Sequence, residues 1–374
     1  MISKRKIINL IKNAFGATTN RKLVAFLVDD WGSVRTRDKK AVEYLKSKQI
    51  DIDKSRFSRF DSLASESDLC ALFDTLQSVK DKNGNYACFT AVMNPCNPNF
   101  EAIRNNHFTE FVSEPFTDTL HKYGYTNVFD LWQEGIAEKI FYPVFHGTEH
   151  VSRSQLMKSL QTNHPPDRWA FECDTVGVPG SLNGIMQPCY VKSANDNEAI
   201  IEVLLHGLDV FEELFGFPTR YFKAGDDVIS PAIYPTLKDF GVKYMDEPIY
   251  MNRYLGDGKT KRCFAFTGKT NHAGQRLLVR NCMFEPTVNL HVDAFSHCLQ
   301  MINAAFTMKK PAIISSHRVN YVGAIDEKNR EDGLARLTLL LKEMVKRYPE
   351  VEFVNACQLG EIVMNKVPSV HSDL

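Results

Sequence analysis

Leu23-Val24-Ala25-Phe26-Leu27-Val28, followed at once by Asp29-Asp30, is the stretch whose reading decides the fold. Six apolar residues in a row, without alternation, read as a strand buried on both faces, as in parallel sheets. Two carboxylates then stand at its tip. The same design returns near the C-terminus, where Pro311-Ala312-Ile313-Ile314 runs into Ser315-Ser316-His317-Arg318. Parallel α/β folds bind their ligands at strand tips, so both clusters are candidate site residues. The alternative for His317 is a satisfied, half-buried structural histidine.

Outward from these two strands the chain alternates. Further strands are expected over 86–92, 140–145, 219–223, 242–245, 277–280 and 351–354. Helices are expected over 38–48, 66–80, 129–138, 152–161, 196–215, 230–240, 291–307 and 329–348. This βα order predicts a parallel α/β architecture. Residues 93–100, with two prolines and three asparagines, read as a turn-rich connection. Residues 162–193, rich in Pro, Gly and Asn, read as a substrate-side loop or a plain surface excursion.

A third polar cluster follows the 140–145 strand: His146-Gly147-Thr148-Glu149-His150. Two histidines four apart share one side of a helix or tight turn and suit a single divalent cation. One carboxylate of the Asp29-Asp30 pair could complete a two-His, one-Asp set, leaving the other free for proton transfer. Metal-assisted hydrolysis needs that division of roles.

Composition sets bounds. The chain has 374 residues, 44% of them hydrophobic, enough for one large α/β barrel or two modest domains. Lys plus Arg and Asp plus Glu are 45 each, so no basic excess points to nucleic acid. Nine cysteines, an odd number without a C-x-x-C pair, predict reduced thiols in a cytosolic compartment. The N-terminal Lys4-Arg5-Lys6 and the short apolar run after it predict an amphipathic helix packed on its own domain, with peripheral membrane contact as the alternative. No stretch approaches the ~20 apolar residues of a membrane span.

Val28-Asp29-Asp30-Trp31-Gly32, His146-x-x-x-His150 and Ser316-His317, in that order, resemble the metal-dependent polysaccharide deacetylases (carbohydrate esterase family four, chitooligosaccharide deacetylase-like). Tyr221-Phe222-Lys223-Ala224-Gly225-Asp226-Asp227 and Phe240-Gly241-Val242-Lys243-Tyr244 are similar to that family's middle motif. The D-D-W-G-S, H-G-x-E-H and S-H-R-x-N-Y signatures resemble an uncharacterised bacterial subgroup associated with surface-polysaccharide synthesis. The resemblance implies a distorted (β/α) barrel of about seven parallel strands, forming a single catalytic domain over 1–365 with a tail at 366–374. The wide spacing of Asp30 and His146 implies an inserted α/β elaboration at 60–135, packed outside the barrel.

The resemblance also implies roles. Asp30, His146 and His150 would hold one divalent metal, zinc first, with nickel or cobalt as alternatives. Asp29 would be the general base and His317 the general acid. Lys223, Asp226, Arg318, Asn320 and Trp31 would contact substrate, and Tyr321 and Trp169 are further aromatics for sugar stacking. Glu149 would brace a ligand histidine, act as a second base, or lie on the surface. Lys223 stands where the family has an arginine that orients the catalytic aspartate, and lysine lacks the planar two-point grip. The implied activity is removal of an N- or O-acetyl group from a sugar of a surface polysaccharide or its precursor. The rival readings are a metal-independent glycoside hydrolase using Asp29 with Asp226 or Asp227, and a non-catalytic sugar-binding protein disabled at Lys223. Oligomeric state is not legible.

Overall fold

The computed structural model describes residues 4–288 and 293–364; the expected tail at 366–374 and the start of the 291–307 helix lie outside the described residues. Nine strands form one sheet: β1 (Lys22–Trp31), β2 (Phe89–Met93), β3 (Phe141–Phe145), β4 (Tyr221–Lys223), β5 (Tyr244–Asp246), β6 (Arg276–Leu278), β7 (Cys282–Met283), β8 (Ala312–His317) and β9 (Val351–Phe353). Their spatial order is β6-β5-β4-β3-β2-β1-β8-β7, with β9 beside the first residues of β1. Every pairing within this sheet is parallel.

The two edge strands, β6 and β7, are consecutive in the chain. Leu278 and Cys282 are four residue steps apart, which a fully extended chain spans in roughly 14 Å. The sheet is therefore rolled until its edges nearly meet, a distorted barrel with an unpaired seam at 279–281 among the described residues. Eight strands make the wall, one more than the seven or so expected, because two-residue β7 is too short to read from sequence.

Alternation along β1 divides the core. Val24, Phe26 and Val28 join a large outer cluster with the helices, whereas Leu23, Ala25 and Leu27 join an inner one. The inner cluster collects Val92, Val144, Tyr221, Tyr244, Leu278 and Ile313 from the other strands. Ala356, Cys357 and Leu359, from the helix Ala356–Met364, complete it at the end where the strands begin. An all-apolar strand has no polar face to give to water, so both its sides are buried against something.

One expectation is overturned. Phe89–Met93 lies between β1 and β3 with every residue buried, so 60–135 is not an elaboration outside the barrel. Helix Glu66–Gln77 packs against helices Val128–Ala137 and Glu327–Arg347 as an ordinary member of the outer layer. What leaves the sheet is shorter: three-residue strands Cys96–Pro98 and Ser113–Pro115, paired antiparallel, with helices Phe100–Asn105 and Phe116–Lys122. The wide motif spacing is the length of ordinary βα units plus this excursion.

Candidate metal centre

Strand parity builds the site. Side chains two residues apart in a strand share a face, so on six of the strands an inner-core residue leads two positions at a time to a residue at the barrel mouth. Leu27 leads to Asp29, Val144 to His146, Tyr221 to Lys223, Tyr244 to Asp246, Leu278 to Arg280, and Ile313 through Ser315 to His317. All seven mouth residues line one cavity of about 900 Å³. Asp29 and His317 are direct register partners on the neighbouring strands β1 and β8.

Asp30 has the wrong parity for this mouth, and the backbone corrects it. The β1–β2 register shifts between Val28 and Trp31, and Asp30 adopts a left-handed φ of 76°. Such a φ is uncommon outside glycine, with aspartate among the residues that tolerate it, and a bulge re-aims a side chain. Two adjacent carboxylates thus reach the same cavity. Gly32 continues the turn at φ 77°, where a Cβ would lie 2.4 Å from the Asn94 carbonyl oxygen.

The ligand atoms of Asp30, His146 and His150 lie within 4.8 Å of one another. Asp30 Oδ1 is 3.1 Å from His150 Nε2 and 3.5 Å from His146 Nε2. His146 Nδ1 lies 2.8 Å from the Lys223 carbonyl oxygen. A carbonyl can only accept a hydrogen bond, so Nδ1 carries the proton and donates, which leaves the Nε2 lone pair free for a cation. The His146–His150 segment is a tight turn, not a helix, with Gly147 at φ 97°. Asn94 Nδ2 donates to the carbonyls of His146 and Gly147, and Asn97 bonds Gly32 O and Val34 N. The asparagines of the 93–100 connection therefore brace both loops, that of Asp30 and that of the two histidines, a role the turn reading did not foresee. Burial would raise the Asp30 pKa, but the two imidazoles overcome it and hold the carboxyl well below its ordinary value. Two imidazole nitrogens and one ionised carboxylate are a donor set for zinc, nickel or cobalt.

The proton-transfer candidates differ in environment. Asp29 is gripped at both oxygens by Arg280, at 2.8 and 2.6 Å. Arg280 Nε also donates to Asp246 at 2.6 Å. Burial pushes Asp29 upward, yet Arg280, with His146, Lys223 and His317, keeps its pKa lowered. His317 Nδ1 lies 2.6 Å from Glu285 Oε1, and its Nε2 lies 3.8 Å from Asp29 Oδ2. Burial lowers the imidazole pKa, but Glu285, helped by Asp30 and Asp29, raises it to about 9. Glu285 is itself held by Arg56 at 2.6 Å and Asn320 at 2.8 Å.

The planar grip on Asp29 thus comes from Arg280, at the tip of β6, and not from position 223. Lys223 pairs with Asp227 and lines the cavity, as does Asp226. Gln187 donates to Asp226 and Met186 joins the lining, which brings one end of 162–193 to the site. Arg280, Asp246 and Glu285 were not singled out from sequence. The signal for the first was available: Leu277-Leu278-Val279-Arg280 is an apolar strand ending in a charge, the pattern that flagged Asp29 and His317.

Several expected contacts lie elsewhere. Arg318 has no exposed surface; it bonds Asp61 and the Ser33 carbonyl, bracing the turn after β1. Asn320, equally buried, holds Glu285 and the His317 carbonyl. Trp31 packs edge-on against Phe141 and Trp132, behind β1. Tyr321 is buried with its hydroxyl on Ser316. Trp169 sits in a side cluster with Tyr44 and Cys173. Glu149 is neither a histidine brace nor a surface group: it is buried and forked by Arg153, with Ser113 also donating. Arg318, Asn320 and Glu149 are buried and already engaged with protein partners, so they have no surface to offer a substrate.

No protein-family model and no curated protein sequence matches the chain. Among solved structures, it is similar to a protein assigned as a polysaccharide deacetylase from Mycobacterium smegmatis, at 12% identity over 94% of this chain and 92% of the other, TM-score 0.48. Puue allantoinase aligns at 11% identity over 93% and 92%, TM-score 0.47. A 4-alpha-glucanotransferase from Thermococcus litoralis aligns at 9% over 93% of this chain but 40% of its own, TM-score 0.45. Likeness this remote, to proteins of different names, leaves the chemistry to be read from the site itself.

Proposed function

We propose that the chain is a metal-dependent deacetylase that removes an N- or O-acetyl group from a sugar of a surface polysaccharide or its precursor. One observation carries the reading: Asp29 clamped by Arg280 and His317 paired with Glu285 face one cavity beside the Asp30–His146–His150 donor set. A divalent cation there would supply a Lewis acid for the acyl carbonyl and make water a better nucleophile near neutral pH. Asp29, held ionised, accepts the proton of the attacking water; each of its oxygens keeps a second lone-pair direction beyond the Arg280 bond. Water oxygen bonds the carbonyl carbon, and the bond from that carbon to the sugar nitrogen or oxygen breaks. His317 gives its proton to that departing atom. Lys223 and Asp226 are the polar groups left to orient the sugar. A cytosolic setting suits the nine unpaired cysteines and belongs to the same proposal.

One feature weighs against the non-catalytic rival: a protein disabled at Lys223 presupposes that nothing else orients Asp29, and Arg280 does so. In a glycoside hydrolase Asp29, with its lowered pKa, would be the base or nucleophile, and Asp226 or Asp227 the acid. The test is acetate release from N-acetylated and O-acetylated sugars, with and without chelator. Release that stops on chelation and returns with zinc, nickel or cobalt is expected. New reducing ends without acetate, unaffected by chelator, would instead support the glycoside hydrolase.

A further inference from the structure

Among the described residues no helix is long and apolar enough to cross a membrane, but helix Lys4–Lys12 has its faces reversed. Asn9 and Asn13 are the buried residues: Asn13 Nδ2 donates to the Asn9 carbonyl and Asn13 Oδ1 accepts from Asn281. Ile8, Ile11 and, just beyond the helix, Phe15 are 53%, 65% and 61% exposed. A surface helix ordinarily turns its apolar stripe inward, and clustered apolar exposure marks a binding surface.

The stripe is continuous with the metal centre. Ile8, Ile11, Lys12 and Phe15 line the same cavity as Asp29, Asp30, His146 and His317. Across the mouth stand Tyr250 and Met283, also exposed, from elements that sequence analysis did not anticipate: the hairpin Tyr250–Gly256 with Lys259–Phe264, and β7. Phe264 bridges the two sides, with ring centroids 5.6 Å from Phe15 and 5.1 Å from Tyr250. The floor of the cavity is polar and its mouth apolar. Its volume, about 900 Å³, is near the upper end for small-molecule sites. Lys12 in the lining supplies positive charge beside the apolar stripe.

We propose that this mouth holds the apolar chain of an amphiphilic substrate: an acetylated sugar carried on a lipid through an anionic, phosphate-type linker. The sugar reaches the floor, the linker meets Lys12, and the chain lies along Ile8, Ile11, Phe15 and Tyr250. The assignment of the sugar rests on the deacetylase reading; that of the chain does not. A wholly polar glycan would leave the stripe bare in water, whereas an alkyl chain gains with each methylene it buries.

The test is calorimetric titration of metal-loaded protein with decyl phosphate below its micelle concentration and with butyl phosphate. Decyl phosphate should bind at least about tenfold more tightly, and Ile11→Ser with Phe15→Ser should remove most of that preference. Leu339→Ser, an equally exposed apolar position on the outer helix Glu327–Arg347, should leave it intact. Equal affinity for the two chain lengths overturns the proposal. So does sedimentation of the protein with anionic phosphatidylglycerol vesicles without a chain-length preference, which makes the stripe a bilayer contact. Chain-length dependence without acetate release from any acetylated sugar would sink the deacetylase reading and leave the chain site standing. Acetate release without chain-length dependence would sink this inference alone.

Discussion

Arg280→Lys is expected to keep the fold and the bound metal while turnover falls by about 10²-fold, the scale of an ångström-level misplacement of a catalytic group. Among the described residues, Arg280 is the side chain that grips both oxygens of Asp29 while holding Asp246 with its third nitrogen. Lysine keeps the charge but offers a single rotating point of contact. Arg280→Met is expected to be far worse. It would leave Asp29 and Asp246 buried without their cation, and breaking a buried pair by removing one partner costs on the order of 3–5 kcal/mol. Thermal melts with parallel acetate assays separate the two variants. Wild-type turnover by Arg280→Lys would mean that Asp29 needs no such orientation.

Asp29→Asn and His317→Ala should each retain fold and metal and lose on the order of 10²–10⁴ in rate, the usual size of a general acid or base contribution. Their pH behaviour should differ. His317 must be protonated to act as an acid, so activity is lost as pH rises through its pKa. Glu285 sets that value at about 9 when no cation is near. A divalent cation at the adjacent donor set repels the imidazolium, so the alkaline limb of the loaded enzyme should fall below this value. Glu285→Gln removes the main group that raises it and should move the limb to lower pH still. Asp29 has a lowered pKa, so its limb lies on the acid side, where falling pH protonates it. An alkaline limb that stays in place in Glu285→Gln would count against His317 as the acid.

The sequence made the strand tips legible and the seam illegible. β1 and β8 announce themselves as unbroken apolar runs ending in polar residues, and those runs fix both the parallel sheet and the placement of Asp29 beside His317. His146 and His150 were legible as a pair because their four-residue spacing brings both imidazoles to one point. Arg318, Asn320 and Trp31 were misread because nearness in sequence to His317 or Asp29 says nothing of direction. Arg318 turns back to Asp61, and Trp31, one residue past the bulge, turns out to Phe141. Glu285 was missed because it follows a two-residue strand with no hydrophobic period of its own, whereas Arg280 ends an apolar strand and carried the same signal as Asp29. The inserted elaboration failed for a related reason. Motif spacing counts residues, whereas Phe89–Met93 takes its place between β1 and β3 by burying five side chains.

A single divalent cation held by Asp30, His146 and His150 is the premise of the proposed chemistry. The most direct measurement is elemental analysis of protein purified without chelator, alongside His146→Ala and Asp30→Ala of equal folded content. Near one zinc, nickel or cobalt per wild-type chain, with the metal lost from both variants, is the predicted result, because a three-ligand site cannot spare a ligand. Folded wild-type protein that carries no such metal and takes none up on addition, or variants that bind it as well as wild type, would contradict the account.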